Sequence, residues 1–284
     1  MIKAILPLIS IVRLGNVVMT GCAVILGIWL TQSGISTFTA FFLMTAAMAA
    51  TAYGNVINDI LDIKSDLISH PERPLANGSM SVRTAAVFAA ALVIASLLSA
   101  LWASTFHLKA AFLPLILLTL YSIYFKRTRL MGNFIVALLV AYALLFGSLP
   151  LPQTKILFLP AMLAFLLNFC REIAKDIQDT EGDRNAGITT SAALPDTALK
   201  AILLSTAAAY ASIAFLPSLL LKHFGIVYTI VCLLAVIPLH VLWITEVLKA
   251  DLKNRAKRIA MILKLEMIAG LLAMALDKIL KINL

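Results

Sequence analysis

Two short acidic segments carry the side chains of this sequence that are best suited to chemistry. In each segment three aspartates recur at the spacing i, i+3, i+7, so on a helix each triplet would line one face over two turns. Like charges at these spacings destabilise a helix by roughly 0.2–0.5 kcal/mol per pair, so a cation is expected to neutralise each triplet. The triplets are Asp59, Asp62 and Asp66, and Asp176, Asp179 and Asp183.

The chemistry that these six carboxylates favour is the binding of hard divalent cations. Neither segment contains a histidine or a cysteine, and carboxylate oxygens suit Mg²⁺ or Mn²⁺ better than Zn²⁺ or Cu²⁺. Mg²⁺ shares its sites among water, phosphate oxygens and one or two carboxylates. Two facing triplets are therefore predicted to bind a diphosphate through Mg²⁺, with Mn²⁺ as an alternative. A solvated helix face would explain one triplet, but two of identical spacing, 117 residues apart, favour a paired metal site.

The elements that must position these carboxylates are membrane helices. Hydrophobic residues make up 62% of the 284, charged residues 13%, and the mean hydropathy is +0.99, which excludes an ordinary soluble domain and a disordered chain. About 20 apolar residues cross a bilayer, and nine segments qualify. We predict an all-α membrane protein with nine transmembrane helices, forming one membrane-embedded domain over 1–284. The predicted spans are 14–31, 37–57, 84–103, 109–125, 131–150, 156–173, 198–220, 224–246 and 259–280.

Lysine and arginine are distributed unevenly between the loops on the two sides of these spans. Eighteen of the 23 fall on the side that also carries both triplets, which places that side in the cytoplasm. The sequence therefore predicts a multi-pass protein of the cell membrane with its active site facing the cytoplasm. The net charge of +9 follows from this topology and attracts anionic membrane lipids. No basic helix or base-stacking aromatic platform indicates a nucleic-acid partner.

The residues around the triplets resemble the signatures of a known family. The run 58–66 reads NDILDIKSD and is followed at 71–75 by PERPL; the run 176–183 reads DIQDTEGD. Together they are similar to the two signatures of UbiA-type intramembrane prenyltransferases. The resemblance implies nine helices around a central cavity with cytoplasmic cap loops, and triplets that face one another across that cavity. It also implies that the six aspartates are catalytic metal ligands, which bind an isoprenyl diphosphate donor through Mg²⁺.

The resemblance also suggests an acceptor. Within the family the run 171–183, REIAKDIQDTEGD, is most similar to archaeal digeranylgeranylglyceryl phosphate synthases, which join a geranylgeranyl group to the sn-2 hydroxyl of geranylgeranylglyceryl phosphate in ether-lipid synthesis. Aromatic acids and tetrapyrroles stay open as alternative acceptors. An ion-coupled transporter is the alternative from another class, but carriers usually bind ions near the bilayer midplane, whereas these acids cluster at one surface. The Asp-Gly-x-x-Ala-Arg signature of CDP-alcohol phosphotransferases is absent from the sequence.

Eight further residues are candidate substrate ligands. Two arginines and two lysines near the triplets could bind a diphosphate or an acceptor, although sorting of positive charge to the cytoplasm also explains such residues. Three asparagines and one glutamate lie in or next to apolar spans, where polar groups usually face protein or a water-filled cavity. These candidates are Asn16, Asn58, Arg73, Lys126, Asn168, Arg171, Glu172 and Lys175. In the last span, Glu266 is expected to pair with Lys264 or with a neighbouring helix.

Overall fold

The protein is a bundle of α-helices, seen here in a computed structural model that describes residues 2–32, 34–219 and 224–282. Within those residues there is no β-strand, and the predicted all-α fold is confirmed. The domain limits at 1 and 284 and the predicted span end at 220 lie outside the described residues. The helices are α1 (Ile2–Ile11), α2 (Leu14–Leu30), α3 (Thr37–Leu61), α4 (Ile63–Ser69), α5 (Val82–Ala103), α6 (Thr105–Ile123), α7 (Met131–Phe146), α8 (Phe158–Asn185), α9 (Asp196–Ile213), α10 (Leu216–Leu219), α11 (Ile226–Val231), α12 (Ile237–Leu248) and α13 (Leu252–Ile282).

Six helical stretches of the described chain are long and apolar enough to cross a membrane. α2 and α7 are also apolar but contain 17 and 16 residues. Many large apolar side chains face outward, among them Val87, Trp102 and Leu234, which are 66%, 67% and 75% exposed. In water such a surface would be unstable, whereas lipid tails can cover it. The six stretches are Thr37–Leu61, Val82–Ala103, Thr105–Ile123, Pro152–Asn185, Ile226–Leu248 and Leu252–Leu280.

Serine residues begin three consecutive spans. The hydroxyls of Ser36, Ser81 and Ser104 each accept a hydrogen bond from the backbone N–H three residues later, at 3.1, 3.0 and 3.1 Å. Each cap satisfies one of the N–H groups that the first turn of a helix leaves without a partner. The chain therefore restarts its helices at α3, α5 and α6 close to the limits predicted from hydropathy.

The first aspartate triplet does not lie on one continuous helix, so that prediction is wrong. α3 ends at Leu61, Asp62 has non-helical dihedral angles (φ −97°, ψ 6°), and α4 begins at Ile63. Backbone hydrogen bonds on both sides of the break, from Asp62 N to Asn58 O (2.9 Å) and from Asp66 N to Asp62 O (2.8 Å), keep the triplet together. The break lets α4 leave the axis of α3 and pack against α8. The second triplet lies within α8, as predicted.

A glycine permits the contact between α4 and α8. A Cβ atom on Gly182 would lie 2.1 Å from Ser69 Oγ and 2.6 Å from the backbone oxygen of Ser65. Both distances are shorter than any ordinary contact, so only a residue without a side chain fits there. Gly182 therefore brings the ends of the two acidic segments, which are 117 residues apart in sequence, into direct contact.

Candidate functional site

The six aspartates form one group, the acidic cluster, at a single end of the bundle. Residues next to the first triplet contact the second triplet directly: Ser65 Oγ donates a hydrogen bond to Asp183 Oδ1 at 2.8 Å, and His70 Nε2 lies 3.1 Å from Asp179 Oδ1. Four of the six side chains are almost fully buried, with 1–4% exposed. The two segments therefore face each other on the same side of the membrane bundle. The acidic cluster comprises Asp59, Asp62, Asp66, Asp176, Asp179 and Asp183.

Lys126 bridges the two triplets. Its Nζ lies 2.5 Å from Asp62 Oδ2 and 3.6 Å from Asp183 Oδ1. Burial by itself lowers the pKa of this ammonium group, but the two carboxylates raise it above its usual value. Lys126 therefore stays charged and holds one aspartate from each segment. The same Asp62 oxygen also accepts a hydrogen bond of 2.5 Å from Asn58 Nδ2.

Two arginines neutralise the remaining aspartates of the first triplet. Arg73 Nη1 lies 2.5 Å from Asp66 Oδ1 and 3.5 Å from Asp59 Oδ1, and Arg13 forms an ion pair with the same Asp59 oxygen. Burial raises the pKa of the Asp66 carboxyl above its usual value, although the hydrogen bond from Arg73 opposes this. Arg13 has a left-handed backbone conformation (φ 52°) at the junction of α1 and α2, so the chain turns sharply where this side chain enters the cluster.

Asp176 is held differently, by neutral donors. Its Oδ2 accepts hydrogen bonds from Asn133 Nδ2 (2.9 Å), Ser191 Oγ (2.6 Å) and Ser191 N (3.2 Å). Asn133 lies at the start of α7, and Ser191 lies in the loop after α8. These three donors fix the orientation of the carboxylate without neutralising it. Among the described residues Asp176 therefore has no ion-pair partner, unlike the bridged aspartates beside it.

An apolar cavity leads away from the acidic cluster into the bundle. Its wall comes mainly from α2, α3, α6, α7, α8 and α13. Arg73 and Lys126 contact the acidic cluster but do not line this wall. Asn58 contacts the cluster and also lines the wall. Arg13 and Asn58, which contact the acidic cluster, both line the cavity, so the cluster adjoins a mainly apolar space. Six of the eight predicted substrate ligands line it: Asn16, Asn58, Asn168, Arg171, Glu172 and Lys175.

A second charged group lies on the cavity wall. Glu172, which is 4% exposed, accepts hydrogen bonds from Arg171 Nη1 at 3.1 Å and Lys175 Nζ at 2.7 Å. Lys264 also lines the cavity. Of the two partners expected for Glu266, the neighbouring helix is confirmed: Glu266 bonds to His240 and Trp243 of α12, at 2.8 Å each, and not to Lys264.

The acidic cluster fits a divalent cation by its chemistry. Asp59 Oδ2 in the cluster and Oδ1 of the adjoining Asn58 are buried acceptors without a hydrogen-bond partner. Such atoms are unfavourable unless a cation or a donor group of a ligand binds them. Among the described residues, no three histidine, cysteine or acidic side chains converge into a ready metal cage. Mg²⁺ does not need one, since one or two carboxylates and the phosphates of a ligand suffice.

Sequence reasoning missed several residues that shape this site. Arg13 is not among the eight candidate substrate ligands, and His70 shows no ligand spacing with the other histidines. Ser65, Asn133 and Ser191 gave no signal, because each contacts an aspartate that is distant in sequence. The PERPL run at 71–75 was the useful clue, since it identified the loop that returns Arg73 to the cluster.

The fold and the site define a class of protein: an α-helical membrane protein with a carboxylate cluster at the mouth of an apolar cavity. The sequence pattern of the UbiA prenyltransferase family matches residues 20–266. The chain therefore belongs to the UbiA prenyltransferase family. A relative from Methanothermobacter thermautotrophicus, named digeranylgeranylglyceryl phosphate synthase, is 32% identical over 272 residues, which cover 95% of each chain. The prediction that the chain is a polyprenyltransferase of this kind is confirmed.

Solved structures agree with the fold. One described as that of a digeranylgeranylglyceryl phosphate synthase in membranes is 28% identical, with a TM-score of 0.76, and covers 98% of this chain and 99% of its own. Another, of a UbiA homologue from Archaeoglobus fulgidus bound to GPP and Mg²⁺, has a TM-score of 0.67 at 17% identity and covers 95% of this chain and 99% of its own. The second likeness concerns the fold alone.

Proposed function

We propose that this protein transfers a geranylgeranyl group from its diphosphate to the free hydroxyl of a glycerol phosphate lipid, with (S)-3-O-geranylgeranylglyceryl phosphate as the acceptor. The observation that carries the proposal is the contact between the two acidic segments at the mouth of an apolar cavity. The names of the relatives support a lipid acceptor. The ligands of the Archaeoglobus fulgidus homologue support a prenyl diphosphate donor and Mg²⁺.

The proposal includes the topology. Nine spans in a single domain would comprise the six long stretches, the shorter α2 and α7, and α9, which extends over Asp196–Ile213. An odd number of spans puts the two chain ends on opposite sides and both acidic segments on the side of the N-terminus. The excess of lysine and arginine on that side supports a cytoplasmic active site in the cell membrane. The loops around Arg73 and Ser191 would then cap the cavity.

The acidic cluster would hold Mg²⁺ through oxygens of both triplets. Asp59 offers a buried oxygen without a partner, and Asp176 is oriented by neutral donors, with no ion-pair partner among the described residues. Bound Mg²⁺ supplies Lewis-acid stabilisation of the negative charge on diphosphate oxygens. Mn²⁺ has the same preference for oxygen ligands and is the expected substitute.

The chain's own residues would do the rest. Arg73 and Lys126 lie among the aspartates and are cations placed where charge develops on the leaving diphosphate, which is where electrostatic stabilisation lowers the barrier most. The apolar cavity would hold the prenyl chain and exclude water from its C1 carbon. In the reaction the bond from C1 to diphosphate oxygen breaks, a bond from C1 to the acceptor oxygen forms, and the hydroxyl proton is released.

The test is substitution in the two triplets with defined substrates. Asp59→Asn and Asp179→Asn each keep the size of the side chain and remove its charge. Both should lower metal-dependent formation of prenylated lipid and release of diphosphate by at least about 10²-fold. Glu181→Gln, on an exposed side chain of the same helix, is the matched control and should keep wild-type turnover.

Three outcomes would contradict the proposal. Full turnover of either aspartate variant would contradict the proposal that the acidic cluster binds the metal. Formation of product with an aromatic acid or a tetrapyrrole, but not with the glycerol phosphate lipid, would show that the acceptor is wrongly assigned. Movement of ions across liposomes without any chemical conversion of a prenyl diphosphate would indicate a transporter.

A further inference from the structure

The cavity wall carries a second polar zone, the donor zone, which offers donors where the acidic cluster offers acceptors. It consists of Asn168, Arg171 and Lys264, which all line the cavity. Asn168 is 2% exposed, and its Nδ2 has no hydrogen-bond partner. Arg171 Nε is also buried without a partner, although Nη1 of the same guanidinium contacts Glu172. Two buried N–H groups of one helix face therefore lack an acceptor.

Lys264 reaches this zone from α13. Its Nζ lies 3.4 Å from the position that a Cβ atom on Gly15 would occupy, so the ammonium group extends to the start of α2. None of the salt bridges among the described residues includes Lys264, and the neighbouring acid Glu266 is engaged by His240 and Trp243. The lysine thus enters the cavity as a charge without a carboxylate to neutralise it.

The acidic cluster and the donor zone differ in the sign of their net charge. The acidic cluster has six carboxylates, and only three lysine and arginine side chains of the described chain form ion pairs with them, through four of the six, which leaves an excess of negative charge. In and beside the donor zone, Arg171, Lys175 and Lys264 line the cavity together with one acid, Glu172, which pairs with Arg171 and Lys175; this leaves an excess of positive charge. A buried cation or amide without an acceptor is unfavourable in an apolar cavity. The donor zone therefore requires an anion of its own, distinct from the cations that the acidic cluster requires.

We propose that Asn168, Arg171 and Lys264 bind the phosphate of the acceptor lipid, and that Lys264 determines the preference for a phosphate-bearing acceptor. The inference rests on the proposed function, since it assigns the phosphate of that acceptor to a subsite. In the proposed function the donor diphosphate would have its own ligands in Arg73, Lys126 and the Mg²⁺ that the acidic cluster would hold. A phosphate held beside Asn168 lies at the inner side of that cluster, where the acceptor hydroxyl can approach the prenyl C1.

The wall beyond Lys264 suits the hydrocarbon part of the same acceptor. α13 continues the lining with Met267, Gly270, Leu271 and Met274, which lie on one helix face at intervals of three or four residues. A Cβ atom on Gly270 would meet no atom within 4 Å, so the cavity is open at that point. One helix thus presents a cation followed by an apolar face, which is the order of groups in a lipid with a phosphate head.

The experiment compares two acceptors in the full-length enzyme with saturating donor and Mg²⁺. Lys264→Met removes the charge and keeps the shape. It should raise the KM for geranylgeranylglyceryl phosphate by at least about tenfold, the loss expected for one charged hydrogen bond. The KM for the geranylgeranyl diphosphate donor and the turnover of the phosphate-free acceptor geranylgeranylglycerol should not change. Lys257→Met, an exposed lysine of the same helix, is the matched control and should behave as wild type.

Lys264→Arg keeps the charge and should retain a low acceptor KM, and thermal unfolding of each variant in detergent checks its fold. An unchanged KM for the phosphate acceptor in Lys264→Met overturns the inference, and so does a rise confined to the donor KM, which would place Lys264 at the diphosphate. Failure of the proposed function is recognised separately, because the wild-type enzyme would then form no product with either glycerol lipid.

Discussion

Replacing Gly182 by alanine tests whether the contact between α4 and α8 sets the geometry of the acidic cluster. The added Cβ would lie 2.1 Å from Ser69 Oγ and 2.6 Å from the backbone oxygen of Ser65. The serine hydroxyl can rotate, but the backbone oxygen cannot. Ordinary contact begins at 3.4 Å, so the two helices must separate by about 0.8 Å. The hydrogen bond of 2.8 Å from Ser65 to Asp183 would lengthen to about 3.6 Å, which is beyond hydrogen-bond range.

A displacement of this size lowers the rate by about 10²-fold when it separates catalytic groups. The fold should survive, because alanine favours a helix over glycine by about 1 kcal/mol and overpacking costs about 1–3 kcal/mol. The assay is release of diphosphate and formation of prenylated lipid by the purified enzyme, together with its thermal unfolding in detergent. Glu181→Ala, at the neighbouring exposed position of α8, is the control and should be active. Wild-type turnover of Gly182→Ala would refute the reasoning.

Two further predictions concern the metal and the acceptor chain. Removal of divalent ions with a chelator should abolish turnover. Mg²⁺ or Mn²⁺ should restore turnover and Zn²⁺ should not, because the available ligands are carboxylate oxygens. Undiminished turnover in the presence of chelator would contradict the metal site. Gly270→Leu should fill the open part of the cavity without a clash and lower turnover of a long-chain acceptor more than that of a shortened one. Equal losses for both acceptors would show that their chains do not contact α13.

Hydropathy and residue spacing predict the all-α fold and the position of the second triplet on a helix, because both depend on local patterns. The apolar spans are separated by polar loops, and the serine caps at Ser36, Ser81 and Ser104 lie close to the predicted ends. The i, i+3, i+7 spacing also predicted which side of α8 faces the site. In α8 Asn168, Glu172 and Asp179 fall on that side, since a continuous helix repeats every 3.6 residues.

Contacts between distant segments were not predictable in the same way. The break at Asp62 depends on the packing of α4 against α8, and that packing depends on the missing side chain of Gly182, which in sequence is only a glycine between two acids. The role proposed for Lys264 was not predictable either, because a lysine near the cytoplasmic end of a span is expected from topology alone. Only the direction of its side chain into the cavity and the occupation of Glu266 by His240 distinguish it from such a lysine.

The order of groups along α8 explains how one helix can serve two substrates. Asn168 and Arg171 offer buried donors without partners, Glu172 follows as part of an ion-paired group, and the aspartate triplet comes last. These positions share one face, so the charge of that face changes from positive to negative within about four turns. An anionic head near Asn168 and a cation at the triplet are therefore each stabilised at opposite ends of the same face. In the proposed function, ion-paired Glu172 would separate the two ligands and keep the acceptor phosphate from competing for a metal bound by the aspartates.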